Sequence, residues 1–165
     1  MIQTAYVVAD IDATEAFFTA QFGVRPWTRM PDIEFGPQTC EYRGEPADFT
    51  AHISLGYLGD MQLELIQPVR GKSIYADFLA SNGPGLHHVC VEPADFTASL
   101  HDAEANGAVV TQRGTMGDGA MEFAYVEAPQ LGIGCVELVR IGAPMQAFFE
   151  AIKAQAFGTK AEEIG

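Results

Sequence analysis

Two adjacent histidines, His87 and His88, begin an apolar run in the stretch "GLHHVCVE", residues 85–92. The run has the composition of a β-strand, in which successive side chains point to opposite faces of the sheet. Val89 and Val91 share one face and need the apolar core. We therefore expect His88 to look into a cleft, and His87 to point away, toward the helix side or a subunit contact.

The same alternation places a polar residue on the cleft side of several other strands. Bulky apolar groups alternate with small or polar ones in "QTAYVV", "AHISLG", "LELIQ" and "CVELV". Solvent exposure accounts for any one polar residue in such a strand taken singly. The set that the pattern gathers on one side is Gln3, His52, Glu64, His88 and Glu137.

Such a set has a specific chemistry if its members converge. Two carboxylates and an imidazole in one cleft would repel or neutralise one another unless a cation lay between them. A divalent metal ion meets that need, with His88, Glu64, Glu137 and the amide oxygen of Gln3 as ligands. The set is rich in oxygen, which favours Mn²⁺, Co²⁺, Fe²⁺, Mg²⁺ or Ni²⁺ over a structural Zn²⁺ held by thiolates. The identity of the metal stays open among these ions and Zn²⁺.

The elements that must position these residues occur twice in the same order. Strand–helix–strand–strand–strand is predicted over residues 1–71 and again over 85–142, joined by a helix within 72–84 and followed by a C-terminal helix and loose tail at 143–165. "VADID" echoes "EPADF", and "LELIQ" echoes "VELVR". Each half alone would leave one sheet face bare, so the two are expected to pair within a single domain spanning residues 1–165. We predict an α+β fold of two βαβββ modules that form a curved mixed sheet around a cleft, with the helices outside.

The individual elements follow from apolar periodicity and from Gly and Pro punctuation. Strands are predicted at residues 2–8, 25–30, 49–57, 61–67, 86–91, 109–113, 122–127 and 134–140, and helices at 12–22, 73–81, 94–106 and 144–156. Asp12 is the expected cap of the first helix and Gly23 its stop. Residues 31–46 are polar and interrupted by Pro and Gly. They are expected to form a mobile loop that acts as a lid over the cleft.

Composition bounds the partners. The 165 residues include 9 Lys and Arg against 22 Asp and Glu, a formal net charge of −13. Such a surface repels nucleic-acid phosphates and anionic lipid, so neither nucleic acid nor membrane is an expected partner. No signal peptide or membrane span is predicted. Three widely spaced cysteines fit buried, reduced thiols in a cytoplasmic protein.

The repeat and the ligand positions resemble the vicinal oxygen chelate superfamily, which includes lactoylglutathione lyases, methylmalonyl-CoA epimerases, extradiol dioxygenases and antibiotic-resistance proteins. The stretch "SIYADFLASNGPGLHHVCVE" is most similar to the epimerase branch. The resemblance implies that His88, Glu64 and Glu137 are metal ligands and that the protein is a dimer. Gln3 stands where these families commonly have a histidine ligand. His52 stands where the epimerases have a catalytic glutamate.

These considerations favour a metal-dependent isomerase, epimerase or lyase. It would act on a small carbonyl substrate through a metal-stabilised enolate, with Glu137 or His52 moving the proton. A coenzyme A thioester is not favoured by the composition. One alternative is an extradiol-type dioxygenase, although such iron sites use two histidines and one carboxylate. The other is a metal-free small-molecule binding or resistance protein, which Gln3 favours.

Overall fold

The chain folds as two copies of one strand and helix arrangement. The computed structural model describes the backbone of residues 1–162 and the side chains of residues 1–158. The first copy contains β1 (Gln3–Val7), α1 (Ile11–Phe22), β2 (Thr28–Phe35), β3 (Cys40–Tyr42), β4 (Glu45–Pro46), β5 (Phe49–Leu58) and β6 (Met61–Arg70). After α2 (Ile74–Asn82), the second contains β7 (Gly85–Val91), α3 (Phe96–Ala105), β8 (Val110–Met116), β9 (Met121–Glu127), a 3₁₀ turn (Pro129–Leu131) and β10 (Cys135–Ile141). The chain then enters α4 (Ala143–Glu162).

One mixed sheet runs through both copies. Its strand order is β2-β5-β6-β1-β7-β10-β9-β8-β3-β4. β1 and β7 pair antiparallel at the centre, β1 pairs β6 in parallel, and β7 pairs β10 in parallel. The strand order is therefore the same on both sides of this pair, β1-β6-β5-β2 and β7-β10-β9-β8, and β3 and β4 of the first copy extend the second side. The predicted α+β fold, a curved mixed sheet built from two βαβββ modules, is confirmed.

Local sequence signals explain where the helices begin and end. The Asp10 side chain accepts a hydrogen bond from the backbone N–H of Ala13, so the cap of α1 lies two residues before the predicted Asp12. Asp95 caps α3 in the same way. The similar stretches "VADID" and "EPADF" therefore share an Ala-Asp pair in which the aspartate caps the helix that follows. Gly23 ends α1, as predicted. Its φ of 67° lies in the left-handed region, which glycine adopts more readily than other residues.

The expected loop at residues 31–46 carries secondary structure instead. β2 continues to Phe35, and β3 crosses from the first module to pair with the edge strand β8 of the second. A Cβ atom at Gly114 of β8 would lie 2.4 Å from the carbonyl oxygen of Thr39, so this crossing depends on glycine. The prediction of a loop was wrong because Pro and Gly punctuation marks the bends of the segment and cannot reveal its long-range pairing.

Two apolar layers lie on opposite faces of the sheet. On the convex face, α1 covers a small cluster of Val8, Ile11 and Leu65, with Tyr6, Phe18 and Trp27 packed against it. The larger cluster fills the concave side and takes in residues of α2 and α4, including Tyr75 and Ile152. α4 is longer than the predicted helix at 144–156, and its continuation occupies part of the expected loose tail. Among the described residues, no helix is both long and apolar enough to cross a membrane.

Candidate active site

Three of the predicted ligands meet on the concave face near the centre of the sheet. The Nε2 atom of His88 lies 3.4 Å from Oε2 of Glu137 and 3.5 Å from Oε2 of Glu64. His88 is fully buried, and Glu137 is only 4% exposed. The convergence follows from strand register, because Ala5 in β1 is the partner of both Glu64 in β6 and His88 in β7.

Gln3 completes one side of this group. It is buried and lines the same cavity as Glu64 and Glu137. Its amide nitrogen donates a 2.7 Å hydrogen bond to Oε1 of Gln62, whose own amide nitrogen donates to the Tyr57 hydroxyl at 2.9 Å. The nitrogen end of Gln3 is thus engaged, and its oxygen is the end that can act as a ligand.

His87 does not point away from His88. The two Nδ1 atoms lie 2.8 Å apart, and both imidazoles are buried. The β1–β7 register slips here, since Ala5 pairs with His88 while Tyr6 pairs with Leu86, which leaves His87 as the extra residue of a β-bulge. Alternation fails at a bulge, so the expectation that the two rings occupy opposite faces was wrong.

His52 lies on the other face of the sheet from the cluster. Its neighbours Ile53 and Leu55 line the cavity, whereas Ser54 donates a 2.6 Å hydrogen bond to Glu15 of α1 on the convex side. His52 itself accepts a hydrogen bond at Nδ1 from the backbone N–H of Asp32. The predicted cleft-facing orientation of His52 was wrong, because the concave surface here is apolar and takes the bulky residues of β5.

Burial and mutual charge set the electrostatics of the group. Burial opposes protonation of His88, but close contact with Glu137 and Glu64 outweighs it and raises the pKa of His88 to about 9. Burial raises the pKa of Glu64 above its ordinary value. Burial acts in the same direction on Glu137, yet contacts with His88, Tyr125 and Cys90 prevail and lower its pKa. The two carboxyls therefore differ, with Glu137 the more readily ionised.

An aromatic shell surrounds the imidazoles. The Tyr75 and Tyr125 hydroxyls are hydrogen-bonded at 2.7 Å, and the Tyr125 ring centroid lies 5.0 Å from that of His88. On its far side, His87 packs against Phe78 of α2, with centroids 4.9 Å apart. Sequence reasoning missed these contacts of Tyr125 and the part that α2 plays. Strand spacing shows that a tyrosine is buried, but it does not show which polar groups its hydroxyl reaches.

The group opens into a small cavity of about 50 Å³. Besides Gln3, Glu64, Glu137 and the two tyrosines, its lining is apolar: Met30, Phe35, Ile53, Leu55, Met116, Met121, Phe123, Met145, Phe148 and Phe149. Met145, Phe148 and Phe149 belong to α4, which therefore covers the cavity on the side away from the sheet. The apolar spacing of α4 could be recognised from sequence, but its docking site could not.

The donor atoms of this group suit a divalent metal ion. Among the described residues, no group of three or more His, Cys, Asp or Glu side chains has the arrangement of a metal site. His88 Nε2 is nevertheless buried without a hydrogen-bond partner, and a buried polar atom of this kind calls for one. Distances of 3.4–3.5 Å to the carboxylates are long for hydrogen bonds. An imidazole nitrogen, two carboxylates and an amide oxygen are suitable ligands for a divalent ion.

The chain matches a known protein family over most of its length. Residues 2–125 match the family model described as the glyoxalase/bleomycin resistance protein/dioxygenase superfamily. This chain belongs to that superfamily. The matched region includes Gln3, Glu64 and His88 and ends before Glu137. No curated protein matches the chain.

Solved structures of the same fold include methylmalonyl-CoA epimerases. The enzyme from Mycobacterium tuberculosis superposes with a TM-score of 0.60 at 17% identity, covering 88% of this chain and 90% of that one. A variant of the Streptomyces coelicolor enzyme in complex with 2-nitronate-propionyl-CoA gives a TM-score of 0.64 at 24% identity, covering 87% and 94%. Another variant of that enzyme in the same complex gives 0.59 at 25% identity, again covering 87% and 94%. These likenesses place this member of the superfamily on the fold of the epimerases.

Proposed function

We propose that this superfamily member is a metal-dependent isomerase or epimerase, or a lyase, acting on a small carbonyl compound. Gln3, Glu64, His88 and Glu137 would hold the divalent ion. The observation that carries the proposal is the buried, unpartnered Nε2 of His88, flanked by two carboxylates at the floor of a covered cavity. When bound, the ion would supply Lewis-acid polarisation of the substrate's carbonyl oxygen.

Glu137 is the proposed proton carrier. Its carboxyl lines the cavity, and its lowered pKa keeps it ionised, the state that a base requires. It would take the proton from the carbon next to the carbonyl. Return of that proton to a neighbouring carbon would be isomerisation, and epimerisation would require the carbon to turn so that Glu137 returns the proton to its other face. His52 has no part in this step, because it lies on the far side of the sheet.

The covering helix α4 would exclude water from the reaction. Met145, Phe148 and Phe149 close the cavity, so a carbanionic species formed there would meet apolar groups and the polar floor. The fold shared with the solved relatives supports the same reaction class, since those enzymes are epimerases of methylmalonyl-CoA.

A metal-free small-molecule binding protein is the second candidate. Gln3 favours it, because an uncharged amide is a weak ligand and its nitrogen is already held by Gln62. An extradiol-type dioxygenase has less support, since one histidine, not two, faces the carboxylates and His87 is turned to His88. A cytoplasmic homodimer remains our proposal for the assembly, supported by three buried free thiols for the compartment and by the family resemblance for the dimer.

Metal titration separates the two candidates. Isothermal titration calorimetry with Mn²⁺, Co²⁺ and Mg²⁺ is expected to give one site per chain in the wild-type protein. Glu137→Gln and His88→Ala should each weaken binding by at least tenfold, because they remove one charge or the sole imidazole. Glu34→Gln, at an exposed position of β2, is the matched control and should leave binding unchanged. If the wild-type chain binds none of these ions, the metal-dependent function is wrong and the metal-free binding protein is the better-supported candidate.

A further inference from the structure

The chemical character of the residues that line the cavity indicates what kind of ligand it can bind. Above the polar floor, ten lining residues are apolar, and none of the residues described as lining the cavity is Lys or Arg. We infer that the ligand of this site is a compact molecule with an uncharged, apolar body, and not the end of a phosphate-bearing carrier. It would be held between methionines of β2, β8 and β9 and aromatic residues of α4. The inference rests on the proposed function and narrows its substrate class.

Methionine is concentrated around the cavity. Four of the six methionines of the chain line the cavity, namely Met30, Met116, Met121 and Met145. The methionine side chain is unbranched and polarisable, so it adapts to ligands of varied apolar shape. A wall of this kind suits an aliphatic or aromatic body and offers no partner for a charged one.

The surface charge argues against a phosphate-bearing carrier. A carrier such as coenzyme A brings several phosphate charges to a protein whose formal net charge is −13. At least six of the nine Lys and Arg residues already pair with carboxylates: Arg29, Arg43, Arg70, Arg113, Arg140 and Lys153. To receive phosphates, these side chains would have to give up or share their carboxylate partners.

α4 limits the size of the ligand. A cavity of about 50 Å³ is far smaller than the roughly 150 Å³ that admits a benzene ring in an engineered protein core. The Tyr57 hydroxyl of β5 donates a hydrogen bond to the backbone carbonyl oxygen of Phe149 in α4. An ion pair between Lys153 and Asp60 also holds the helix in place. Phe148 is 36% exposed while also lining the cavity, so its ring is a part of the cover that reaches solvent. We expect a ligand of the size of a benzene ring to enter by displacing Phe148.

The methionines provide a direct test. Protein labelled with ¹³C at the methionine methyl groups and supplied with Mg²⁺ would be titrated with 1-phenyl-1,2-propanedione, an uncharged apolar compound with neighbouring carbonyls, and separately with propionyl-CoA. We expect the diketone to shift the methyl signals of Met30, Met116, Met121 and Met145. Met1 and Met61, which lie outside the lining, serve as internal controls. Propionyl-CoA should leave the four signals in place.

Two variants of α4 sharpen the result. Phe148→Ala removes the ring expected to be displaced and should raise the rate of diketone binding several-fold. Phe157→Ala, also partly exposed on α4 but outside the lining, should not change it. Shifts of the four methyl groups by propionyl-CoA, or none by the diketone, would overturn the inference. The proposed function would still stand if the metal titration succeeds, since that experiment involves neither compound.

Discussion

The Nδ1 atoms of His87 and His88 face each other at 2.8 Å in the buried floor of the site. One of them must carry a hydrogen and the other must accept it, because two unprotonated or two protonated nitrogens would repel. If the His88 Nδ1–H donates to His87, the Nε2 of neutral His88 is free of hydrogen and can bind a metal ion. In that tautomer His87 would hold His88 with Nε2 open to a metal ion, and we expect His87 to favour it.

Replacing the acceptor on His87 is expected to weaken metal binding. His87→Phe keeps a ring of similar shape but has no acceptor, so the metal affinity should fall about 10- to 100-fold, as for other outer-shell partners of ligating histidines. His87→Asn should restore much of it, because the amide oxygen of asparagine can accept near the position of Nδ1. Calorimetric titration with Co²⁺ measures both changes.

The control for this pair is His101→Phe, at an exposed position of α3, which should leave the affinity at the wild-type value. Thermal melts without metal would show whether the His87 variants remain folded. Equal losses for His87→Phe and His87→Asn would mean that the packing of the ring against Phe78, and not its hydrogen bond, supports the site.

Sequence patterns predicted which strands contribute to the site better than they predicted the orientation of each side chain. Alternation within regular strands correctly put Gln3, Glu64, His88 and Glu137 on one face. It failed for His87, where a bulge interrupts the period, and for His52. In β5 both faces are largely buried, so polarity does not tell which face is concave.

Local signals also predicted most helix and strand positions, but they left out contacts between distant segments. The pairing of β3 with β8 spans about seventy residues of sequence and has no local signature. The docking of α4 over the cavity depends on the contact between Tyr57 and Phe149, which lie on elements far apart in the chain. Contacts of this type set the size of the cavity, and the ligand class could therefore be narrowed only with the structure.

Glycine at position 114 is expected to be required for the β3–β8 crossing. Gly114→Ala would place a methyl group 2.4 Å from the Thr39 carbonyl oxygen and 2.9 Å from the Phe123 ring, and these contacts must move. We expect a loss of about 1–3 kcal/mol in the free energy of unfolding, as for other overpacked positions. Gly36→Ala, with open space around the added methyl, is the control. Urea denaturation would measure both, and equal stabilities would show that β3 shifts freely.

The three thiols are expected to be unreactive in the folded protein. Burial raises the pKa of Cys40 and of Cys135 to about 12, and it raises that of Cys90 further. Since the thiolate is the reactive form, Ellman's reagent at pH 8 should label the native chain slowly and all three thiols rapidly in guanidinium. Unfolded thiols ionise near pH 8.5, while the folded ones stay protonated. The raised thiol pKa values therefore contribute to the free energy of unfolding in full below about pH 8.5, and this contribution declines as the pH rises toward 12. Rapid labelling of native protein at pH 8 would contradict the buried placement.

Gln3→His is expected to change metal selectivity as well as affinity. One nitrogen of the new imidazole can donate to Gln62, as the amide of Gln3 does now, while the other faces the metal position beside Glu64. An imidazole nitrogen suits Co²⁺ and Ni²⁺, whereas Mg²⁺ prefers oxygen, so the affinity for Co²⁺ should rise on the order of tenfold and that for Mg²⁺ should not. Gln38→His, at an exposed position, controls for adventitious binding to an added histidine. Calorimetry with both ions gives the ratio directly, and an unchanged ratio in Gln3→His would place residue 3 outside the metal's ligand set.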